Sequence, residues 1–447
     1  MLNDHSIRDL CRAMLRLFLV TLQLALAISA PLAAQTYTVL HTFSGDDGLG
    51  PFSGVTVDGA GNLYGTTKYG GVANCDLGCG VLFKLTPQGP GWNFAPLYKF
   101  TGPSDGKAPI ARIVFGPDGR LYGTTFLGGN PAANAGTVFA LAPPPAVCRS
   151  ACSWIKTTLW TFGQYDGDGL RPNYGDLVFD AAGNLYGTTE EGGTTRPLCG
   201  PGCGTVYMLS RSQGPWSETL IYQFGDGPGF HPYAGVTFDA NGNLYGTTAY
   251  GGSADWGLIY QLTPSNGSWS PTILYNFLGQ TDGGAPNAGL LPDQAGNFYG
   301  ATTSSLFELS PMGLAWSFTL LYDFDPPAHP FATLAMDAAG NLYGTTIAGG
   351  SFGYGNVFKL ARTGDSWSYT SLYDFSGGSD GSQPYGAVAL DASGNLYGTA
   401  VAGGSEDGQC LSAHGCGVVW QIKQELSPNR AGPGTGEPLS RAGSGVR

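Results

Sequence analysis

Apolar residues in this chain fall in short runs without clean alternation, and Gly, Asn, Asp and Pro separate them. One mixed string returns seven times. Its first copy is Asn62-Leu63-Tyr64-Gly65-Thr66-Thr67, and its tyrosine recurs at Tyr122, Tyr186, Tyr245, Tyr299, Tyr343 and Tyr397. Steps of 44 to 64 residues between these tyrosines mark a repeat architecture. Each copy holds four strand-like pieces. The first is an apolar run ending in Asp, such as Ala234 to Asp239. The second is the Asn-Leu-Tyr-Gly-Thr-Thr string. The third is a Val-Phe-Lys-Leu type run, as in Val81 to Leu85. The fourth ends in Leu-Tyr-x-Phe, at Phe43, Phe100, Phe162, Phe224, Phe277, Phe324 and Phe375. Between the first two pieces, Asp239-Ala240-Asn241-Gly242-Asn243 reads as a hairpin loop whose Gly takes positive φ.

Four short strands in succession make one antiparallel blade. The chain predicts an all-β, seven-bladed β-propeller over residues 35–422. Its order is permuted: the array opens with a lone fourth piece, Tyr37 to Phe43, and closes with a third piece, Val418 to Ile422. The N-terminal strand is therefore expected to complete the last blade, which removes free sheet edges. An open solenoid would instead need capping repeats. Gly65 and its six counterparts predict close approach by a neighbour, an aromatic of the adjacent blade being the expected one.

The ends of the chain read differently. Residues 1–34 have Arg12 and Arg16, an apolar run from Leu15 to Ile28, and a small-residue cleavage site at Leu32-Ala33-Ala34. That is an export signal; an uncleaved anchor is the alternative, but the run is short for a span. Residues 423–447 are rich in Gly, Pro, Ser and Arg and read as a disordered tail. A secreted, extracellular or periplasmic monomer follows, with no membrane span after signal cleavage. Eight cysteines form four close pairs: Cys75 with Cys79, Cys148 with Cys152, Cys199 with Cys203, and Cys410 with Cys416. In an exported chain they predict local disulfides, whereas zinc would need two pairs from separate repeats to meet. The formal net charge of −12 argues against nucleic-acid partners and anionic membranes.

The Gly-Asn-Leu-Tyr-Gly-Thr-Thr string, the Gly-Gly after it, the Gly-x-Val-Phe-Lys-Leu run and the Leu-Tyr-x-Phe ending resemble the GloVer tandem repeat of bacterial choice-of-anchor surface and secreted proteins. The resemblance covers residues 36–422. It implies a repeat scaffold and carries no established activity. Members often have an anchoring C-terminus; the polar tail here departs from that and points to release. The Asp-x-x-Gly-Asn-Leu-Tyr core is also similar to repeats of NHL and lactonase-like propellers, which supports the fold and not a chemistry.

Candidate chemistry sits on the loops. Connectivity puts the loops from the fourth piece to the first on one face with those from the second to the third. The former carry Asp-Gly-x-x-Pro at Asp47, Asp105, Asp168, Asp282 and Asp380, with a longer copy at Asp226 and a degenerate one at Asp325. A ring of carboxylates could bind calcium, with Asp105 and Asp282 as ligands, or form an acidic collar for a polar ligand. A turn in which Asp accepts backbone hydrogen bonds explains the same pattern. Tyr69, Phe126, Tyr250 and Phe352 could stack on sugar rings or simply pack the loops. His231, His329 and His414 share the face, as do the adjacent Glu190 and Glu191. Adjacent carboxylates diverge in a strand and suit a two-carboxylate mechanism poorly. No nucleophile motif is present. The leading expectation is a binding or structural module for extracellular polysaccharide or a surface protein. A hydrolase or lyase acting on a sugar or lactone is the alternative. An enzyme would break the repeat with a few residues converging in a polar pocket.

Overall fold

The computed structural model describes residues 35–145, 153–211, 214–225, 229–364 and 366–424. Residues 1–34, where an export signal is expected, residues 425–447 of the expected tail, and Asp226 lie outside the described residues. So do Cys148 and Cys152, and the disulfide expected between Cys148 and Cys152 is therefore not among the bridges described below. A compact unit covers Tyr37–Ile422. It contains seven four-stranded antiparallel sheets, which form the blades of a seven-bladed propeller. Blade 1 comprises, from the inside outwards, Thr56–Val57, Leu63–Thr67, Val81–Gln88 and Gly91–Lys99. The second strands of blades 2 to 7 are Leu121–Thr125, Leu185–Thr189, Leu244–Thr248, Phe298–Ala301, Leu342–Thr346 and Leu396–Ala400. In blade 7 the outer strand is Gln35–Thr42, paired with Val418–Gln424. The N-terminal strand thus closes the ring as the permuted order predicts.

The apolar side chains divide into seven clusters, one in each seam between neighbouring blades. Both faces of the second strand are buried, so Leu63–Thr67 has no exposed position. That is why its sequence lacks an alternating pattern. Gly65 faces an aromatic, but not one from the adjacent blade. It pairs directly with Phe83 on the next strand of its own blade, and a Cβ there would lie 2.6 Å from the Phe83 ring. The ring folds over the glycine and fills the space a side chain would take. Trp420 covers Gly398 in the same way in blade 7.

The other recurring letters of the repeat close turns and seams. In the hairpin at Asp239, one carboxylate oxygen accepts the Asn241 and Asn243 amides, and the other accepts Asn243 Nδ2 and the Tyr245 hydroxyl. Gly242 has φ 83° as expected. The Tyr of Leu-Tyr-x-Phe stacks on the next blade's outer strand: Tyr275 on Phe318 at 4.2 Å, and Tyr322 on Tyr369 at 4.4 Å. Tyr373 stacks on Tyr37 of the closing strand at 3.7 Å. The following Phe donates its amide to the loop carbonyl of its own blade, including Phe43 to Gly417 at the closure.

At the hub the blades nearly touch. A Cβ on Gly54 of blade 1 would lie 2.2 Å from the Ala387 carbonyl oxygen of blade 7. The first Thr of the Thr-Thr pair donates to the next blade's backbone just before its inner strand. Thr66 reaches Pro109, Thr188 reaches Ala234, Thr247 reaches Ala288, Thr345 reaches Gly386, and Thr399 closes the circle on Ser53 at 2.7 Å. Two junctions differ. Between blades 5 and 6, Ala301 replaces the Thr, and the Gly289 amide donates instead to Thr333 Oγ1. Between blades 2 and 3, Thr124 Oγ1 has no partner among the described residues, and Arg112 is paired with Asp176 across the channel wall.

These contacts predict that Gly54→Ala destabilises the protein by about 1–3 kcal/mol, since backbone and not a flexible side chain opposes the new methyl. Gly59→Ala, where a Cβ meets nothing within 4 Å, should stay within about 0.5 kcal/mol of wild type. Urea unfolding of the two variants checks this.

Candidate functional site

The two loop sets do share a face. Gly169–Leu170 pairs with Glu191–Gly192, and Gly229–Phe230 pairs with Tyr250–Gly251. Single bridges join Leu49 to Tyr69, Lys107 to Leu127 and Ser382 to Ala402. Before the recurring Pro, every blade holds one residue in the left-handed region. These are Gly50, Ala108, Arg171, His231, Ala285, His329 and Gln383, with φ from 48° to 65°. Each donates its amide to the preceding blade, and six of them accept at the carbonyl from the residue after Thr-Thr. A left-handed non-Gly residue before Pro is strained, and here two blades hold its backbone in place.

Just inside this ring, Tyr174 contacts Phe331 at 5.0 Å and Phe52 at 6.4 Å, and Tyr385 contacts Phe52 and Phe331 at 5.2 and 5.5 Å. The rings come from blades 1, 3, 6 and 7 and cross the channel. The cavity beside them is lined from all seven blades yet holds only about 40 Å³, room for little more than water. Ligand chemistry on this face therefore belongs at the mouth and not in the bore.

At the mouth of blade 3 the repeat breaks. Pro is 13 residues before the repeat Tyr in six copies and 14 in this one. The extra residue falls in the Asn173-Tyr174 segment. Asn173 is 6% exposed, and its amide donates to Glu190 Oε2 at 2.8 Å. Tyr233 lies close enough to interact electrostatically with both Glu190 and Tyr250. Glu191 points elsewhere and binds Arg171 at 2.7 Å. His231 Nδ1 contacts the Glu190 carbonyl oxygen at 2.9 Å. Burial pushes Glu190 up to about 7, and the Glu191 charge adds to this; Arg171, Tyr233 and Asn173 pull the other way without overcoming it. Burial also holds the hydroxyls of Tyr174 and Tyr233 above the usual tyrosine value, helped by Tyr385 and then Glu190 at Tyr174 and by Glu190 at Tyr233. A carboxyl that titrates near neutrality can exchange a proton or accept a hydrogen bond at physiological pH.

The residues singled out from sequence are placed as follows. Tyr250 joins the Glu190 group and is 41% exposed. The Phe126 ring lies under the Arg171 guanidinium at 5.9 Å. Tyr69 lies under the Lys68 ammonium at 5.1 Å, beside Phe52. Phe352 is 61% exposed on the blade 6 loop. The five aspartates each cap their own turn. Asp47 accepts from Ser44 and His41, Asp105 from Thr101, Tyr98 and Lys156, and Asp168 from Gln164 and Gly169. Asp282 accepts from Tyr275, Leu278 and Gly279, and Asp380 from Tyr373 and Ser376. Among the described residues no three His, Cys, Asp or Glu side chains meet as a metal site would require. This includes Asp105 and Asp282 as calcium ligands and the three loop histidines. Disulfides join Cys75 to Cys79, Cys199 to Cys203 and Cys410 to Cys416, all in second-to-third strand loops of this face. The fourth expected bridge, Cys148 to Cys152, falls between a third and a fourth strand and outside the described residues.

Sequence reasoning passed over Asn173, Tyr174, Tyr233 and Arg171, and dismissed Glu190 as half of a carboxylate pair. The constant Pro-to-Tyr spacing, broken once, was the available signal.

A family model for the Gloeobacter/Verrucomicrobia repeat matches residues 29–197 and 200–305. The chain belongs to the Gloeobacter/Verrucomicrobia repeat family. The blades beyond 305 continue the same repeat. No curated protein matches the chain in sequence. Among solved structures, virginiamycin B lyase from Staphylococcus aureus is 13% identical with a TM-score of 0.50, over 87% of this chain and 98% of that one. The extracellular domain of a hybrid two-component system of B. thetaiotaomicron is 11% identical with a TM-score of 0.52, over 88% of this chain and 42% of that one. These likenesses show the propeller fold. No helix among the described residues is long and apolar enough to cross a membrane.

A second acidic contact in blade 3 has a consequence for stability. At the outer-strand position where blade 2 places Lys156 against Asp105, blade 3 places Glu218 beside Asp168. Burial, then the neighbouring Asp168 charge, raises Glu218 well above the usual carboxyl value, and burial raises Asp168 too. A carboxyl with a raised folded value keeps a proton that the unfolded chain releases above about pH 4. Stability from this pair is therefore present in acid and lost as pH rises through the neutral range. Glu218→Gln should raise the melting temperature by a few degrees at pH 8 and leave it unchanged at pH 4. Glu218→Lys, which copies blade 2, should also raise it at pH 8, through an ion pair with Asp168. Melting curves across that range give the answer.

Proposed function

We propose that the loop face binds a polar extracellular ligand, an oligosaccharide, at the Glu190 pocket, and that the protein acts outside the cytoplasm as a binding module. One observation carries this reading. Glu190, Asn173, Tyr174, Tyr233 and Tyr250 gather at the one place on the face where the Pro-to-Tyr spacing changes. A carboxyl and an amide supply directional acceptors and donors for sugar hydroxyls, and tyrosine supplies an aromatic face with a polar tip. The three loop disulfides support an oxidising compartment. The apolar N-terminus and the similarity to an extracellular domain agree with it.

The raised value of Glu190 favours a second reading, proton transfer to or from a bound sugar or lactone. Calorimetry and product analysis on one oligosaccharide panel separate the two. A binder takes up a glycan with no change in it, and Glu190→Gln and Tyr250→Ala each weaken uptake at least about tenfold, as expected when a buried polar contact or a stacked ring is lost. Release of a shortened or unsaturated sugar by wild type, abolished in Glu190→Gln with binding retained, makes it an enzyme. No uptake and no product across the panel would overturn both.

A further inference from the structure

We infer that the Glu190 pocket receives an ammonium group, so that the glycan proposed above is one bearing free amines.

Among the described residues the ion pair beside Glu190 belongs to its neighbour Glu191. Arg171 is the cation, and its guanidinium is bound to Glu191. Glu190 is left with only the field of that shared cation, which does not overcome its burial. The hydrogen-bond donor seen on its carboxyl is neutral, the Asn173 amide, and the nearby Tyr233 is neutral too. An independent feature points the same way. Asn173 is more than nine-tenths buried, and its carbonyl Oδ1 has no hydrogen-bond partner among the described residues. A buried acceptor left unmade costs about 1–3 kcal/mol, so it marks a place where a donor belongs. Its own amide holds it beside the Glu190 carboxylate, so the pocket offers two acceptors with no charged donor.

An ammonium brings several N–H donors and one positive charge on a compact group. It would meet both acceptors at once and add a positive charge beside Glu190. The rings of Tyr174, Tyr233 and Tyr250 add faces that attract cations. The mouth already holds such a contact, with Lys68 Nζ 4.8 Å from the Phe52 ring centre. The chain's net charge of −12 would favour approach of a polycation and oppose a polyanion. An N-acetylated sugar has neither the charge nor the extra donors.

This inference rests on the glycan reading, and the test keeps the two apart. The probes are a glucosamine tetramer, its fully N-acetylated counterpart, and methylammonium, which keeps its N–H donors and stays charged below about pH 9. The groups facing Glu190 are Glu191, Arg171, Tyr174, Tyr233 and His231. With that set unchanged, an added cation must favour the ionised carboxyl. At pH 7.5 the amine tetramer should bind at least tenfold tighter than the acetylated one. Glu190→Gln and Asn173→Leu should both erase that preference. Wild-type affinity for methylammonium should fall as pH drops below about 7, approaching tenfold per unit; this needs no variant to fold. Equal binding of the two tetramers, with no pH dependence for methylammonium, overturns the ammonium site and leaves the glycan reading intact. Binding of methylammonium alone keeps the ammonium site and overturns the glycan reading. No binding of any probe overturns both.

Discussion

The closeness of the inner strands is the constraint on which the rest of the structure depends. Where blade 7 meets blade 1, the Ala387 carbonyl stands where a Gly54 Cβ would be. Blades that near must be held at a fixed spacing, and the threonine hydroxyl is short enough to do it. Thr399 bonding to Ser53 is the same link as Thr66 bonding to Pro109, although it joins the two ends of the array. Closure therefore needs no special device. The two exceptional junctions confirm the need: where Ala301 lacks a hydroxyl, Thr333 of the facing blade supplies one, and where Thr124 is unpartnered among the described residues, Arg112 and Asp176 form an ion pair.

The mouth inherits its form from the hub. The chain must pass from an outer strand to the centre within a few residues, and the left-handed residue before Pro makes that turn. Its amide is bound to one blade and its carbonyl, in six of the seven, to another strand's end. With the backbone fixed, the side chain is released from structural duty. That is why this position runs Gly, Ala, Arg, His, Ala, His and Gln while the Pro after it is constant. A site can arise in such a ring without disturbing the scaffold. The breaks concentrate around blade 3: the added residue near Asn173, Glu190 after Thr-Thr, the Arg112–Asp176 pair and Glu218 beside Asp168.

Most of the architecture was legible because each repeated letter has one local physical task. Asp-x-x-Gly-Asn is a hairpin cap, Thr-Thr a seam bond, and the lone leading strand a closure. The Gly65 contact was misassigned because sequence cannot distinguish a ring folding across from the same sheet from one arriving from the next blade. The site was hard to read for a different reason. Repetition draws attention to the Asp-Gly-x-x-Pro carboxylates, and their oxygens are engaged in their own turns. The distinctive residues occur once each. Only the register between Pro172 and Tyr186 betrayed them, and the convergence of Asn173, Glu190 and Tyr233 depends on two neighbouring blades.

The aromatic closure of the bore sets the limits on any ligand. With Tyr174 crossing to Phe331 and about 40 Å³ left beside them, a ligand at Glu190 cannot thread the channel and must lie across the face. In the binding mode proposed, the half-buried Glu190 would set specificity while the surrounding loops set reach. Three of those loops are tied by disulfides, and they present Leu77, Leu198 and Leu411 as exposed tips. Tying a loop lowers the ordering cost of using it for contact. A long, flexible chain of sugars making one specific contact and several loose ones matches that layout better than a small molecule does, because a small molecule would need a pocket that encloses it.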